Sequence, residues 1–163
     1  MSSASPGSAN GARALVQADL ERVIAIDREH SGRSRRGFFE KRFAAAARRP
    51  EDFIQIGIAR GGALRGFAVG HILRGEFGRT GAAAVLDAVG VEPQSQELGI
   101  GQALMDALTR TLREREVTVL HSQADWSNHD LMRFFSTSGF RLADRMALER
   151  SVAEPLFEAT EDV

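Results

Sequence analysis

The chain has 163 residues, a formal net charge of −1, no cysteine and no tyrosine. The near-zero charge gives no bulk field for binding nucleic acid or an anionic membrane, and the lack of cysteine excludes disulfides and thiolate metal sites. The length suits one domain with a single core, and the 43% hydrophobic and 26% charged content is ordinary for a soluble globular chain.

The two ends differ in composition from the rest. Residues 1–11 are rich in Ser, Ala and Gly, and residues 152–163 are acidic, so we expect loose tails around a single domain over residues 12–151. The N-terminus has no basic region leading an apolar core, and no apolar run approaches the length of a membrane span. A cysteine-free chain fits the cytoplasm, where we expect the protein.

The first third predicts a short strand and two helices. Residues 12–16 form the strand candidate, and Asp19 is expected to cap a first helix. A loop over residues 30–37 carries three arginines, for which a solvated connection is one interpretation. Residues 38–46 continue as a second helix, which Pro50 ends.

The middle predicts the sheet. Residues 53–60 and 64–73 are two strand-like runs around Gly61-Gly62, which is a hairpin signal. Residues 82–91 are apolar on both faces except for Asp87, as in a central strand. Residues 117–125 predict a second buried strand, and the helix between these two supplies the crossover that a parallel pair needs.

The last third predicts a helix and a final strand. Ser127 and Asp130 have the spacing of a capping box, and Gly139 is expected to end the helix that follows. Residues 142–150 alternate well enough for a last strand. The whole pattern predicts an α/β fold, with one mixed central sheet and helices on both faces.

The turn between the central strand and its crossover helix is the most informative stretch. It has the sequence Gln96-Glu97-Leu98-Gly99-Ile100-Gly101. Glycines let the backbone approach a ligand, and the first helical turn leaves N–H groups unpaired at the positive end of the dipole. These features predict an anion site, most naturally for phosphate. A tight turn that caps a helix explains the same glycines and stays open as an alternative.

The Q-x-x-G-x-G turn after a V-x-P strand end resembles motif A of the GNAT N-acetyltransferase superfamily. A second block, residues 128–140, looks like the family's N-x-x-A-x-x-[LF]-Y-x-x-x-G-F helix and turn. The resemblance covers roughly residues 13 to 151. It implies the GNAT (acyl-CoA N-acyltransferase) fold, a parallel pair of strands splayed at the cofactor site, and acetyl-CoA as acyl donor. It also implies that the loop over residues 30–37 borders the acceptor amine.

The resemblance assigns cofactor contacts residue by residue. It implies that the thioester arm meets the backbone near Val89 and Val91, that the Val89 N–H polarises the thioester carbonyl, and that the turn holds the pyrophosphate. The expected cofactor-binding residues are Val89, Val91, Gln96, Glu97, Leu98, Gly99, Ile100, Gly101, Gln102, Asn128 and Phe135. For Asn128, a purely structural place at the start of its helix, next to the Ser127 cap, is the alternative.

A base must take the proton of an alkylamine before it attacks a thioester. Asp87 is the leading candidate, because a carboxylate in an apolar strand, on the same face as Val89 and Val91, is costly unless it is paired or opens onto a wet cleft. A structural Asp87 paired with an arginine is the alternative. Asp125 is the runner-up, followed by His121 and Glu76.

Three positions depart from the family. Phe135 replaces the usual tyrosine acid, Gln123 stands where many relatives have glutamate, and Glu97 replaces Gly or Arg. The predicted activity is acetyl transfer to a primary amine, and a catalytically weak acyl-CoA sensor is the alternative. The four histidines lack metal-ligand spacing, so no metal is expected. We expect Trp126 to be a buried packing residue, and a place in the acceptor cleft is the alternative. A homodimer is left open.

Overall fold

Five strands form one sheet in the order β1-β2-β3-β4-β5. The computed structural model describes residues 11–153, so the predicted tails lie outside it except for residue 11 and residues 152–153. The first four strands are antiparallel neighbours, and β4 and β5 are parallel. The strands are β1 (Ala12–Ala14), β2 (Phe53–Arg60), β3 (Ala63–Arg74), β4 (Ala82–Val91) and β5 (Val119–Ser122).

Helices cover both faces of the sheet. They are α1 (Leu20–Ser31), α2 (Arg36–Arg48), α3 (Ile100–Glu114) and α4 (His129–Thr137). On one face, α1 and α2 pack a core that includes Ile26, Phe39 and Phe67. On the other face, α3 packs Leu104 and Leu108 against the apolar side of β2, and α4 adds Phe135 to the same core. The predicted α/β architecture with a parallel pair is confirmed.

Two predicted strands differ from the structure. The strand expected over residues 117–125 is only the four residues of β5, and the last strand expected over residues 142–150 does not form. Residues 141–153 are exposed and have no strand pairing, and Leu148 is 89% exposed. That prediction was wrong because alternation specifies only an apolar face, whereas a strand also needs a neighbouring edge to bond its backbone.

Two predicted caps were also wrong. Asp19 does not cap α1, because its carboxylate is held by Arg13 and by the Val16 N–H, 2.8 Å away. Asn128 caps α4 instead of Ser127, and its Oδ1 accepts from the Leu131 N–H at 3.2 Å. The Ser127 hydroxyl donates to Asp125. Polar side chains near a helix start compete for the free N–H groups, and spacing alone does not decide which one is placed to accept.

A β-bulge redirects the side chains of β4. The β3–β4 register shifts at Val69/Gly70, opposite Leu86 and Ala88. Leu86, Val89 and Val91 pack on the α3 side, whereas Ala88 packs in the α1/α2 core. Asp87 reaches Arg42 of α2, so two consecutive residues point to the same side. The expectation that Asp87 shares a face with Val89 and Val91 was therefore wrong.

Candidate active site

The parallel pair opens along the second half of β4. Strand β5 pairs with β4 only from Ala83 to Leu86, and no other strand of residues 11–153 pairs with the β5 side of β4 beyond that point. The Glu92 N–H donates to the Arg65 carbonyl on β3 at 2.8 Å. By the alternation of an antiparallel ladder, the N–H and C=O groups of Val89 and Val91 then point away from β3, into the opening.

The turn after β4 leads directly into the start of α3. Residues 93–98 form a 3₁₀ turn, and Gly99 follows with a φ of +71°, in the left-handed region. The first α-helical bond runs from the Ala103 N–H to the Gly99 carbonyl at 3.0 Å. The three N–H groups before it, those of Ile100, Gly101 and Gln102, therefore have no acceptor within the helix. They lie at the positive end of the helix dipole, an arrangement that favours a negative charge.

Glycine occupies positions 99 and 101 of the turn for different structural reasons. A Cβ on Gly99 would meet no heavy atom within 4 Å, so the space beside it is open and only its backbone conformation favours glycine. A Cβ on Gly101 would lie 3.0 Å from the ring of Phe134. Close packing of α3 on α4 accounts for Gly101, and the left-handed backbone accounts for Gly99.

The remaining side chains of the turn are exposed. Gln96, Glu97 and Leu98 face solvent, and the Gln102 amide donates to Asp106 at 2.8 Å on the outer side of α3. Glu97 is thus free to point away from a bound anion.

Glu92 anchors this turn and was not predicted from the sequence. Its buried carboxylate accepts from the Ser95 hydroxyl at 2.7 Å and from Arg65 at 2.8 Å, and it also pairs with Arg22 of α1. The hydroxyl of Ser95 and then the guanidinium of Arg65 hold the pKa of Glu92 below its ordinary value. Because these partners come from α1, β3 and the turn, Glu92 fixes the turn against the rest of the domain.

Asp87 is part of a cluster on the α2 side of the sheet. Its Oδ2 lies 2.9 Å from His71 Nδ1 and 3.1 Å from Arg42 Nη2. The side chain is 11% exposed, and Arg42 also stacks over Phe38 and Phe53. The interpretation that Asp87 pairs with an arginine describes the contact with Arg42. Nothing in the local sequence indicated that His71 would be a second partner.

The other predicted residues lie around the end of β5. Asp125 is exposed and accepts from the side chain and backbone of Ser127, which lower its pKa. Asn128 uses its carbonyl oxygen to cap α4, which leaves its amide nitrogen for another partner. Phe135 is 8% exposed and packs against Phe134 and Phe140. Trp126 is 80% exposed, so its predicted packing role was wrong.

The arginine-rich loop between α1 and α2 is partly structural. Arg35 pairs with the buried Asp27 and stacks over Phe38 and Phe39. Arg36 bonds to Glu21 at 2.7 Å, and Arg33 is exposed. At the end of α1, His30 Nε2 contacts the Val91 carbonyl. The loop therefore borders the open end of β4, and it is not merely a solvated connection.

The described part of the chain, residues 11–153, offers neither a metal site nor a membrane-spanning helix. No three or more His, Cys, Asp or Glu side chains there are grouped so that they could hold a metal ion. No helix in that part of the chain is long and apolar enough to cross a membrane.

The comparisons with known proteins agree with this architecture. The profile described as "Acetyltransferase (GNAT) family" matches residues 18–140, which is most of the chain. The chain belongs to this family of acetyltransferases. Comparison with curated proteins gives no match.

Solved structures share the fold at low sequence identity. A transcriptional regulator from Bacillus halodurans has a TM-score of 0.72 at 18% identity, covering 86% of this chain and 97% of that one. The aminoglycoside 6'-N-acetyltransferase AAC(6')-IG from Acinetobacter haemolyticus has a TM-score of 0.70 at 13% identity, covering 86% and 97%. The aminoglycoside N-acetyltransferase AAC(6')-Iy, solved in complex with CoA, has a TM-score of 0.69 at 16% identity, covering 86% and 93%.

Proposed function

We propose that the protein is an acetyl-CoA-dependent N-acetyltransferase that moves an acetyl group to a primary amine by direct attack in a ternary complex. The observation that carries the proposal is the free edge of β4 beside the unpaired N–H groups at the start of α3. The free edge suits an extended amide-containing arm, and the helix start suits a pyrophosphate. Membership of the acetyltransferase family supports the same donor.

The chain's residues fit acetyl-CoA, which supplies a thioester whose acyl carbon an amine can attack. The N–H groups of Ile100, Gly101 and Gln102 hold the pyrophosphate, with the open space beside Gly99 admitting it. The backbone of Val89 and the N–H of Val91 bond the arm, and the Val89 N–H donates to the thioester carbonyl oxygen. Asn128 contributes its free amide nitrogen, and Phe135 closes the apolar end of the site.

The acceptor amine must be neutral when it attacks, so a base near the thioester carbonyl must take its proton. Asp87 is the candidate base, with Asp125 as runner-up. The pairing of Asp87 with His71 and Arg42 places a titratable cluster two residues from Val89. The hydrogen bonds of Asp125 already satisfy and stabilise its charged form, which makes it a weaker proton acceptor.

A catalytically weak acyl-CoA sensor is the second candidate function. It is favoured by Phe135, whose buried ring has no group to protonate a departing thiolate, and by the salt bridge on Asp87. General acid catalysis is worth about 10²–10⁴-fold. A thiol with a pKa of about 8.5 is nonetheless a tolerable leaving group, which keeps the enzyme as the first proposal.

Release of CoA thiol across a panel of primary amines discriminates these functions, with the acetylated amine identified by mass spectrometry. The enzyme predicts amine-dependent release above the hydrolysis of acetyl-CoA alone. A protein that binds acetyl-CoA but transfers to no amine in a panel of aminoglycosides, polyamines and peptide N-termini would support the sensor. Sedimentation of the same sample tests whether the protein forms a homodimer.

A further inference from the structure

We propose that His71 is the proton acceptor of the transfer reaction, with Asp87 as its positioning partner, and that the cavity beside His71 is the route by which the proton leaves. This inference rests on the proposed acetyltransferase function. It deepens that function by replacing the candidate base with a histidine–carboxylate pair.

The contacts of Asp87 argue against it as the group that is protonated. Its Oδ2 faces both Arg42 Nη2 at 3.1 Å and His71 Nδ1 at 2.9 Å. Arginine stays charged, so protonating Asp87 would remove one half of an ion pair in a mostly buried place. A carboxylate held in this way suits the other role, which is to fix and stabilise a neighbouring imidazole.

The same contact fixes the tautomer of His71. An ionised carboxylate only accepts hydrogen bonds, so Nδ1 carries the proton and donates to Asp87. Nε2 then keeps its lone pair and serves as the base. When Nε2 takes a proton, the positive ring that results lies next to the negative charge of Asp87, which stabilises it.

The sheet register places this pair near the proposed thioester position. His71 is opposite Val85 on β4, and Asp87 lies two residues before Val89. At about 3.3 Å of rise per residue, Asp87 is about 7 Å along the strand from the Val89 N–H. His71 itself is opposite Val85, four residues or about 13 Å from Val89 along the strand. Its ring contacts Asp87, so a chain of waters would carry the proton from an amine beside Val89 to the ring.

His71 also lines a cavity of about 320 Å³ that opens to solvent. Two charged groups lie next to the ring, Asp87 on β4 and, through Asp87, Arg42 on α2. The other charged residues that line the cavity are Arg49 and Asp52 before β2, and Arg74 and Glu76 at and beyond the end of β3. Asp52 is paired with Arg49 and Arg74, so it does not compete with Asp87 for the ring. On β5, His121 is in register with Val85 and therefore shares its side of the sheet.

The proton balance of the step is complete. One proton of the ammonium moves to His71 Nε2, and the neutral nitrogen attacks the thioester carbon. The C–N bond forms as the C–S bond breaks, the second N–H proton goes to the departing thiolate, and His71 returns its proton to water in the cavity. No oxidant or further co-reactant is required.

The first test is spectroscopic and does not depend on activity. Two-bond ¹H–¹⁵N correlation spectra report the tautomer of each of the four histidines, with His71 assigned by its loss in His71→Asn. We expect the Nδ1–H tautomer for His71, and loss of that preference in Asp87→Asn. An Nε2–H tautomer in the wild type overturns the inference even if the protein transfers acetyl groups.

The second test is kinetic and uses an amine that the wild type acetylates. In His71→Asn, the amide nitrogen still donates to Asp87 but no base remains, so kcat should fall about 100- to 10,000-fold while acetyl-CoA affinity is kept. The acidic limb of the pH–rate profile should disappear, and added imidazole should restore activity to His71→Gly. An unchanged profile in His71→Asn, or loss of the limb in His121→Asn instead, overturns the assignment. Absence of any turnover by the wild type would count against the proposed function itself.

Discussion

At the scale of single residues, the carboxylate of Asp87 contacts two side chains, the guanidinium of Arg42 and the imidazole of His71. Its contact with Arg42 gives it a structural role, and its contact with His71 gives it a place in proton transfer. These roles are compatible because a carboxylate that stays ionised can serve both. The two roles can be separated because one affects stability and the other affects the rate.

Asp87→Asn should reduce both stability and turnover. The amide leaves Arg42 without its counter-charge, which should cost about 1–3 kcal/mol in the free energy of unfolding, measured by urea denaturation. Acetyl-CoA affinity should not change, because Val89 and Val91 pack on the opposite side of the sheet. Glu21→Gln, which breaks an exposed ion pair with Arg36, is the control and should leave the urea midpoint nearly unchanged. Unchanged stability and turnover in Asp87→Asn would contradict both roles.

Glu92→Gln should lower the melting temperature in a pH-dependent way. The folded state holds the pKa of Glu92 below its ordinary value of 4.5, so the stabilisation is present above that pH and is lost as the pH falls through the lower folded pKa. The difference in melting temperature between wild type and variant should therefore be constant near neutral pH and shrink below about pH 4.5. A difference that grows with acidity would show that the network around Glu92 is not ionised as described.

The sequence indicates some of these residue roles and not others. An aspartate in an apolar strand requires a partner, which is why an arginine partner for Asp87 could be predicted. The choice of His71 depends on the bulge at Val69/Gly70, which has no local signal in the sequence. The network of Glu92 joins residues 27 and 70 positions away, and no periodicity links them.

At the scale of elements, the long regular patterns were predicted with nearly the right bounds. The Gly61-Gly62 hairpin and the β4 strand formed as expected, because turn chemistry and an apolar run are local properties. The strand expected over residues 142–150 did not form, since strand pairing depends on the edge available elsewhere in the fold. The bulge in β4 puts Asp87 and Ala88 on the same side of the sheet, which strict alternation along the strand does not predict.

A matched pair of leucines tests whether residues 141–153 are exposed and unpacked. Leu148 is exposed in that segment, and Leu108 on α3 is buried in the core. Leu108→Ala should cost about 2–5 kcal/mol in the free energy of unfolding, whereas Leu148→Ala should change it by under about 0.5 kcal/mol. Both are measured by urea denaturation of otherwise identical proteins. A large cost at Leu148 would mean that this segment packs against the domain.

At the scale of the whole molecule, two cores lie on opposite faces of one sheet, and β4 contributes side chains to both. The α3 face supplies the helix start and the free strand edge, and the α2 face supplies the Asp87–His71 pair. Both faces share the backbone of β4. In the proposed reaction, the donor and the amine meet near Val89.

The most direct test of this account is the melting temperature with and without acetyl-CoA in wild type, Gly99→Glu and Gly78→Glu. Gly78 is the matched control, because it has the same φ of +71° and the same open surroundings but lies in the β3–β4 turn. Acetyl-CoA at 100 times its Kd should stabilise the wild type by about 2.7 kcal/mol, a rise of roughly 5–10 °C. The same rise should persist in Gly78→Glu and vanish in Gly99→Glu, where a carboxylate fills the anion site. No rise in the wild type, or an equal rise in Gly99→Glu, would contradict the placement of acetyl-CoA at this turn.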